Sequence, residues 1–263
     1  GWYASALWFG SIFLYGSVLN GGVSPVVDRV AHAAGFGVEL HVSGNDMTSP
    51  LDVHASLGGQ TLQSLAGVDL ISARKTVEDL PWVEHAILTK YYPQRINIEI
   101  RERTPFAVWQ RGNRLTVVEK SGAVIAEMDA LTASGCFGDL PLFVGPGAEK
   151  LGAIFLGEMN AFPNLRNKVS AYVRVAERRW DLHLNTGVVL KLPADDYNKA
   201  LVEISELDSV YGLLERDIEA VDFRLPDRVT LKLSEEADER RVAALEERAK
   251  IMKKRLKARG ARL

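Results

Sequence analysis

Between Ile96 and Ile100 every second residue is isoleucine, and Arg95, Asn97, Glu99 and Arg101 fill the alternate positions. A period of two sends one set of side chains to each side of a pleated strand. The run therefore predicts a half-buried strand with one apolar and one polar face. Tyr92-Pro93-Gln94 reads as a turn before it, and Val83 to Lys90 as the partner strand of an antiparallel hairpin. Pro105 ends the second strand and Phe106 to Gln110 reads as another. The stretch Pro81 to Trp109 thus closes one small α/β unit and opens a second.

The chain before the hairpin supplies the rest of the first unit. Val38 to Val42 reads as a strand, Ser43-Gly44-Asn45-Asp46 as a turn, and Ser49-Pro50 as the start of a helix to about Leu57. A second helix is expected from about Ser72 to Leu80, stopped by Pro81. The order β-α-α-β-β makes a small mixed sheet with two helices on one face and an open edge that can pair with another chain.

After Phe106, turn signals at Arg111-Gly112-Asn113 and Lys120-Ser121-Gly122 separate short apolar runs. A helix is expected over Glu149 to Asn160, then a strand over Arg178 to Leu184, a turn at Asn185-Thr186-Gly187 and a strand over Val188 to Leu192. Ala200, Ile204, Leu207 and Val210 give Asp195 to Tyr211 helical spacing. Val221 to Leu225, the tight turn Pro226-Asp227 and Arg228 to Leu233 close the unit as strand, turn and strand. The fold class is α+β.

The ends differ in character. Trp2 to Leu19 holds no charged residue, and about 18 helical residues span roughly 27 Å, near the thickness of a bilayer's hydrocarbon core. Trp2, Tyr3, Trp8 and Tyr15 partly form an aromatic belt. The run reads as a membrane-spanning helix; the alternatives are a cleaved signal peptide, for which no A-x-A site follows, and a buried core helix. The chain starts at Gly1 without methionine or a basic flank, so a preceding cytoplasmic segment is expected. Ser24-Pro25 predicts a short spacer helix through Ala34. At the other end, Glu235, Glu236, Asp238 and Glu239 precede Lys250, Lys253, Lys254, Arg255, Lys257, Arg259 and Arg262. Acid first and base last suits a solvated helix, and a frayed tail is the alternative.

Composition excludes some functions. The 263 residues carry a formal net charge of −2, which argues against a general nucleic-acid binder. Cys136 is the single cysteine, so no intrachain disulfide exists. The five histidines are scattered without an H-E-x-x-H pattern, which leaves no metal site and no cofactor to expect. Ser72-Ala73-Arg74-Lys75 has the S-x-x-K spacing and Ser43-Gly44-Asn45 the S-x-N spacing of penicillin-binding proteins. No K-T-G accompanies them and their order is reversed, so the expected protein is not an enzyme.

What remains is a binding surface. Val221, Phe223 and Leu225 alternate with Asp222 and Arg224; Val229, Leu231 and Leu233 alternate with Arg228, Thr230 and Lys232. The second strand is the last before the tail and hence a candidate sheet edge, whose unpaired N–H and C=O groups are a template for strand addition.

Several of these stretches resemble one family. Pro81-Trp82-Val83, Tyr92-Pro93, the isoleucine alternation, Glu102-Arg103-Thr104-Pro105 and Ala107-Val108-Trp109 resemble the end of the POTRA module of the bacterial cell-division proteins FtsQ and DivIB. Val38 to Asn45, Leu140 to Gly147, the strand around Trp180 and Val221-Asp222-Phe223-Arg224 extend the resemblance to about Leu233. It implies a membrane helix at 1–20, a linker at 21–37, a POTRA domain at 38–104, a mostly antiparallel β-domain with flanking helices at 105–233, and a tail at 234–263. It further implies a non-enzymatic, single-pass type II inner-membrane scaffold of the division septum, with the bulk of the chain periplasmic. Its implied partners are the coiled-coil division proteins FtsB and FtsL, bound through Asp222, Phe223, Arg224, Leu225 and the strand Arg228 to Leu233, with Arg178 as an added polar contact. Leu225 stands where the family often has an aromatic residue. The alternative is a POTRA-containing chaperone or translocation module for envelope proteins, which usually repeats its POTRA unit or adds a barrel; neither a repeat nor barrel-like strands occur here.

Overall fold

The computed structural model describes residues 38–58, 65–129 and 135–260. The expected membrane span at 1–20 and linker at 21–37 lie outside the described residues. Among the described residues no helix is long and apolar enough to cross a membrane. Backbone contacts divide the chain into two units, with the boundary between Thr104 and Pro105.

The first unit contains β1 (Glu39–Ser43), α1 (Pro50–Leu57), α2 (Leu70–Glu78), β2 (Val83–Tyr91) and β3 (Arg95–Glu102). β3 is central, with β1 parallel on one side and β2 antiparallel on the other. Ile96, Ile98 and Ile100 are buried against Val53, Leu57, Ala73 and Val77 of the two helices, as the alternation predicts. Each such isoleucine contributes about 1.5–3 kcal/mol by leaving water. α2 begins at Leu70 rather than Ser72, because the Asp69 carboxylate accepts the Ile71 N–H at 3.0 Å and caps the helix earlier.

Two contacts hold the turn after β1. Gly44 has φ +76°, and a Cβ there would lie 2.2 Å from the Ile100 carbonyl oxygen. The Glu102 carboxylate at the end of β3 accepts the Met47 N–H at 2.8 Å and the Thr48 N–H at 2.6 Å. Partial burial raises the Glu102 pKa, but the bonds from Thr48 and Met47 outweigh it and hold the carboxyl below its ordinary value.

The second unit contains β4 (Ala107–Arg111), β5 (Arg114–Val118), β6 (Val124–Met128), β7 (Leu142–Val144), α3 (Ala148–Met159), α4 (Pro163–Arg166), β8 (Val169–Val175), β9 (Arg179–Leu184), β10 (Val189–Lys191), α5 (Tyr197–Tyr211), β11 (Ile218–Asp222), β12 (Thr230–Leu233) and α6 (Glu235–Gly260). Among the described residues its nine strands form one sheet in the order β12-β11-β10-β9-β8-β7-β4-β5-β6. Five of the eight pairings are antiparallel; β4–β7, β7–β8 and β10–β11 are parallel. Parallel neighbours need a crossover. Helices α3 and α4 link β7 to β8, and α5 links β10 to β11.

Strand register aligns one apolar row across the sheet: Trp109, Phe143, Tyr172, Leu182, Leu190, Val221 and Leu231. Phe155 of α3 stacks on Trp180 at 4.7 Å, beside Leu201 and Ile204 of α5. A Cβ at Gly152 would lie 2.7 Å from the Phe143 ring, so α3 approaches the sheet closely only as glycine allows. One expectation needs correction. Val210, expected on the apolar stripe of α5, is exposed, whereas Leu201 is buried. Asp181, between Trp180 and Leu182 on β9, is also buried.

Gly44→Ala should destabilise the first unit by about 2 kcal/mol or more, from left-handed strain and the backbone clash. Denaturant melts check this. Glu102→Gln should cost about 1–2 kcal/mol at neutral pH by weakening the bonds to the turn. Because the folded carboxyl has the lower pKa, its stabilisation is present above the ordinary value near 4.3 and is lost as pH falls through the folded value. The difference between wild-type and Glu102→Gln melting temperatures should therefore shrink as the buffer is taken from pH 7 into that acid range.

Candidate functional site

β12 is the terminal strand of the nine-stranded sheet and has a neighbour on one side only, among the described residues. The direction of its N–H groups follows from neighbouring bonds. Ser234 donates its N–H to the Asp217 carbonyl, and Phe223 donates its N–H to the Lys191 carbonyl at 2.9 Å. Alternation along antiparallel strands then turns the N–H groups of Thr230 and Lys232 toward β11 and those of Leu231 and Leu233 outward.

The apolar row reaches this edge at Leu231. Val221, its neighbour in the row, is fully buried, while Leu231 is 45% exposed. Leu231 and Val229 line a groove of about 330 Å³ with Leu207 and Tyr211 of α5, Leu213, Glu203 and Arg216. On the opposite face register aligns a polar row of Asp181, Lys191, Asp222 and Thr230. Burial raises the pKa of Asp181, with Arg179 opposing; Arg179 Nε lies 3.5 Å from Asp181 Oδ1 as an ion pair.

The turn between β11 and β12 departs from expectation. β11 ends at Asp222 rather than Leu225. Phe223 still bonds to β10 and is buried, but Leu225 is 51% exposed instead of sharing the buried side with Val221. The cause is local. Asp222 Oδ1 accepts the Arg224 backbone N–H at 3.0 Å, and Arg224 Nε bonds the same oxygen at 2.8 Å. This turns the chain out of the sheet before Pro226. The Arg224 guanidinium in turn holds the Asp222 carboxyl below its ordinary pKa. Likewise β12 begins at Thr230 rather than Arg228, which lies in the turn and pairs with Asp227 at 3.1 Å. Lys232 forms an ion pair with Glu219.

Arg178, distant in sequence, comes to the same place. It follows Ala176 and Glu177, both with positive φ, in the β8–β9 turn. Arg178, Phe223, Arg224 and Leu225 line one cleft of about 640 Å³, together with Arg179, Lys199 and Glu203. Four cationic side chains, Arg178, Arg179, Lys199 and Arg224, and three acidic ones, Asp195, Asp196 and Glu203, thus border a surface that also offers apolar Leu225; Lys199 is paired with Asp196, Arg179 with Asp181 and Arg224 with Asp222. Sequence reasoning missed Lys199, Leu207 and Tyr211. Their only signal was their place on α5, whose exposed side a spacing pattern does not identify.

The S-x-x-K residues Ser72 to Lys75 lie on α2. Ser72 Oγ donates to the Asp69 carboxylate at 2.8 Å, within the cap of α2. Asn45, the other residue singled out, bonds the Thr48 carbonyl at 2.9 Å in the turn after β1. Among the described residues no group of three His, Cys, Asp or Glu side chains is placed to hold a metal ion.

The comparison with known proteins agrees with these two units. Residues 38–103 match the POTRA domain of FtsQ type, and residues 107–224 match the C-terminal region of cell division protein FtsQ/DivIB. The latter match ends before β12. Cell division protein FtsQ of Agrobacterium fabrum is 42% identical over 255 residues, covering 97% of this chain and 79% of that protein. That of Rhizobium meliloti is 42% identical over 245 residues, covering 93% and 78%. That of Caulobacter vibrioides is 34% identical over 207 residues, covering 78% and 67%. With both domains matched in order and most of the chain aligned, this protein belongs to the FtsQ family of bacterial cell-division proteins.

Proposed function

We propose that the chain is a non-enzymatic scaffold of the division septum that captures a partner segment by strand addition at β12. The observation that carries this reading is the end of the apolar row: Leu231 is half-exposed, and its N–H points out of the sheet. A partner strand laid along β12 bonds to Leu231 and Leu233 through its backbone. One of its apolar side chains continues the row into the groove beside Leu207 and Tyr211. Main-chain bonds supply affinity and the groove supplies choice. An acidic partner residue fits the cleft, where Asp222 orients Arg224 and Arg178 stands nearby.

The proposed partners are FtsB and FtsL, which the family resemblance implies. The proposed layout is a membrane helix at 1–20, a linker at 21–37, a POTRA domain at 38–104, a β-domain at 105–233 and a tail at 234–263. In this reading the protein crosses the inner membrane once, and the two domains work in the periplasm.

Binding of a purified periplasmic FtsB–FtsL pair to the full chain tests the edge. Leu231→Pro removes an outward N–H, which an edge strand tolerates, and should weaken binding about tenfold or more with the thermal midpoint nearly kept. Leu231→Ala, which keeps the N–H, should lose less. Thr230→Pro would instead break a bond to β11 and lower the midpoint. Equal binding by Leu231→Pro and wild type would remove β12 from the interface. Replacing Arg178 and Arg224 together by alanine should weaken binding by about tenfold and flatten its salt dependence, measured by titration calorimetry at two ionic strengths.

A further inference from the structure

The first unit has two distinct ends, which its strand directions identify. β1 and β3 run parallel, and β2 runs against them. The chain therefore enters the unit at the end where β2 turns into β3, and the Glu39 N–H bonds the Gln94 carbonyl there at 2.7 Å. It leaves at the other end of β3, past Glu102. α2 also runs against β2. Partial burial lowers the pKa of Lys90, near the end of β2, and the close Asp69 carboxylate at the start of α2 opposes it. At the far end of α2, Glu78 Oε1 accepts the Ala86 N–H at 3.2 Å. The start of α2 and the β2–β3 turn thus share the entry end.

That end exposes large apolar and aromatic side chains. Tyr92 in the turn is 73% exposed, Tyr91 beside it 56%, and Ile71 in the first turn of α2 77%. The charges around them are matched, because Arg95 pairs with Glu39 at 3.4 Å and Asp69 stands by Lys90. Balanced charge neither drives nor opposes approach to an anionic surface, so apolar contact decides. Tyrosine suits the boundary between headgroups and hydrocarbon, since its ring is apolar and its hydroxyl stays hydrated. Position supplies that boundary. In the proposed layout residues 21–37 join the membrane helix to this end, and such a tether holds it at high local concentration beside the bilayer. The opposite end exposes Met47 and Leu51, but the proposed span does not attach there.

We infer that the entry end of the first unit rests in the headgroup layer of the bilayer, through Tyr91, Tyr92 and Ile71. The inference rests on the membrane layout proposed above. The contact fixes how the first unit is oriented on the bilayer, which a tether alone leaves free.

The test places a nitroxide label on the full chain, reconstituted in bilayers of phosphatidylethanolamine and phosphatidylglycerol. Cys136→Ala removes the single cysteine, and Tyr92→Cys, Ile71→Cys or Leu51→Cys carries the label at an exposed site. Oxygen concentrates in the bilayer and a nickel chelate in water, so their relative broadening of the electron spin resonance spectrum reports the label's surroundings. Labels at Tyr92→Cys and Ile71→Cys should meet nickel about tenfold less than the label at Leu51→Cys, the population shift that burial of one large apolar side chain supports. Adding Ile71→Asp should return the Tyr92→Cys label to water. Equal nickel access at all three sites, in a chain that resists carbonate extraction, would overturn the contact and leave the span standing. Extraction by carbonate would overturn the span and the contact with it. Spin–spin broadening that vanishes on dilution with unlabelled chain would put a second copy in place of the bilayer.

Discussion

The second unit depends on keeping one apolar row in register across seven strands. From Trp109 through Phe143, Tyr172, Leu182 and Leu190 to Val221, each side chain lies beside its neighbour on the next strand, covered by α3 and α5. A slip of one residue in any strand would turn its apolar set to the opposite face. Register is therefore enforced by the cost of exposing that row. The row ends at Leu231 because no further strand follows among the described residues. The same burial that holds the sheet together leaves an incomplete end at its edge.

That edge exists because of α5. By crossing from β10 to β11 it sets those strands parallel, with Ala200, Leu201 and Ile204 packed into the core. Its end is tied down by Asp208, which accepts the Leu214 N–H at 3.0 Å and the Lys168 ammonium at 2.8 Å. The chain then has a short turn available and one free side of β11, so β12 lies outermost. The turn is shaped by the Asp222–Arg224 pair, which also aims a guanidinium at the cleft beside Arg178. Stability and the proposed recognition thus use the same residues. Lys232, paired with Glu219, places charge on the edge, a common guard against indiscriminate strand pairing.

Local periodicity carried most of the first unit. The isoleucine alternation of β3, the Ser49-Pro50 start of α1 and the Gly44 turn are each encoded within a few residues, and each appears in the structure. The sequence pattern places the start of α2 two residues late, because it does not record that the Asp69 carboxylate accepts the Ile71 N–H and caps the helix earlier. In the second unit the strands around Trp180 and Val189 and the helix before Tyr211 were legible for the same reason. Leu225 was placed on the buried side because alternation alone continues a strand until a breaker. Nothing in a period of two records that the Asp222 side chain captures the Arg224 N–H and turns the chain outward.

By itself the sequence determined many of the strands and helices, because burying one face of each element requires a period of two or 3.6; the short β7 and α4 and the strand β8 were not read from it. It also determined that the last strand alternates and that a charged segment follows. Only the tertiary structure decided which strands are neighbours beyond the local hairpins. The parallel pairs β4–β7, β7–β8 and β10–β11 join residues far apart in the chain, and no local pattern specifies them. It alone decided that Leu231 and Leu233 point their N–H groups outward, that Arg178 shares a cleft with Arg224, and that Leu207 and Tyr211 border the edge strand. The physical reason is that a side chain's role at an edge depends on what lies across the next 4.8 Å or so of hydrogen-bonding direction, and that neighbour is set by packing of the whole core.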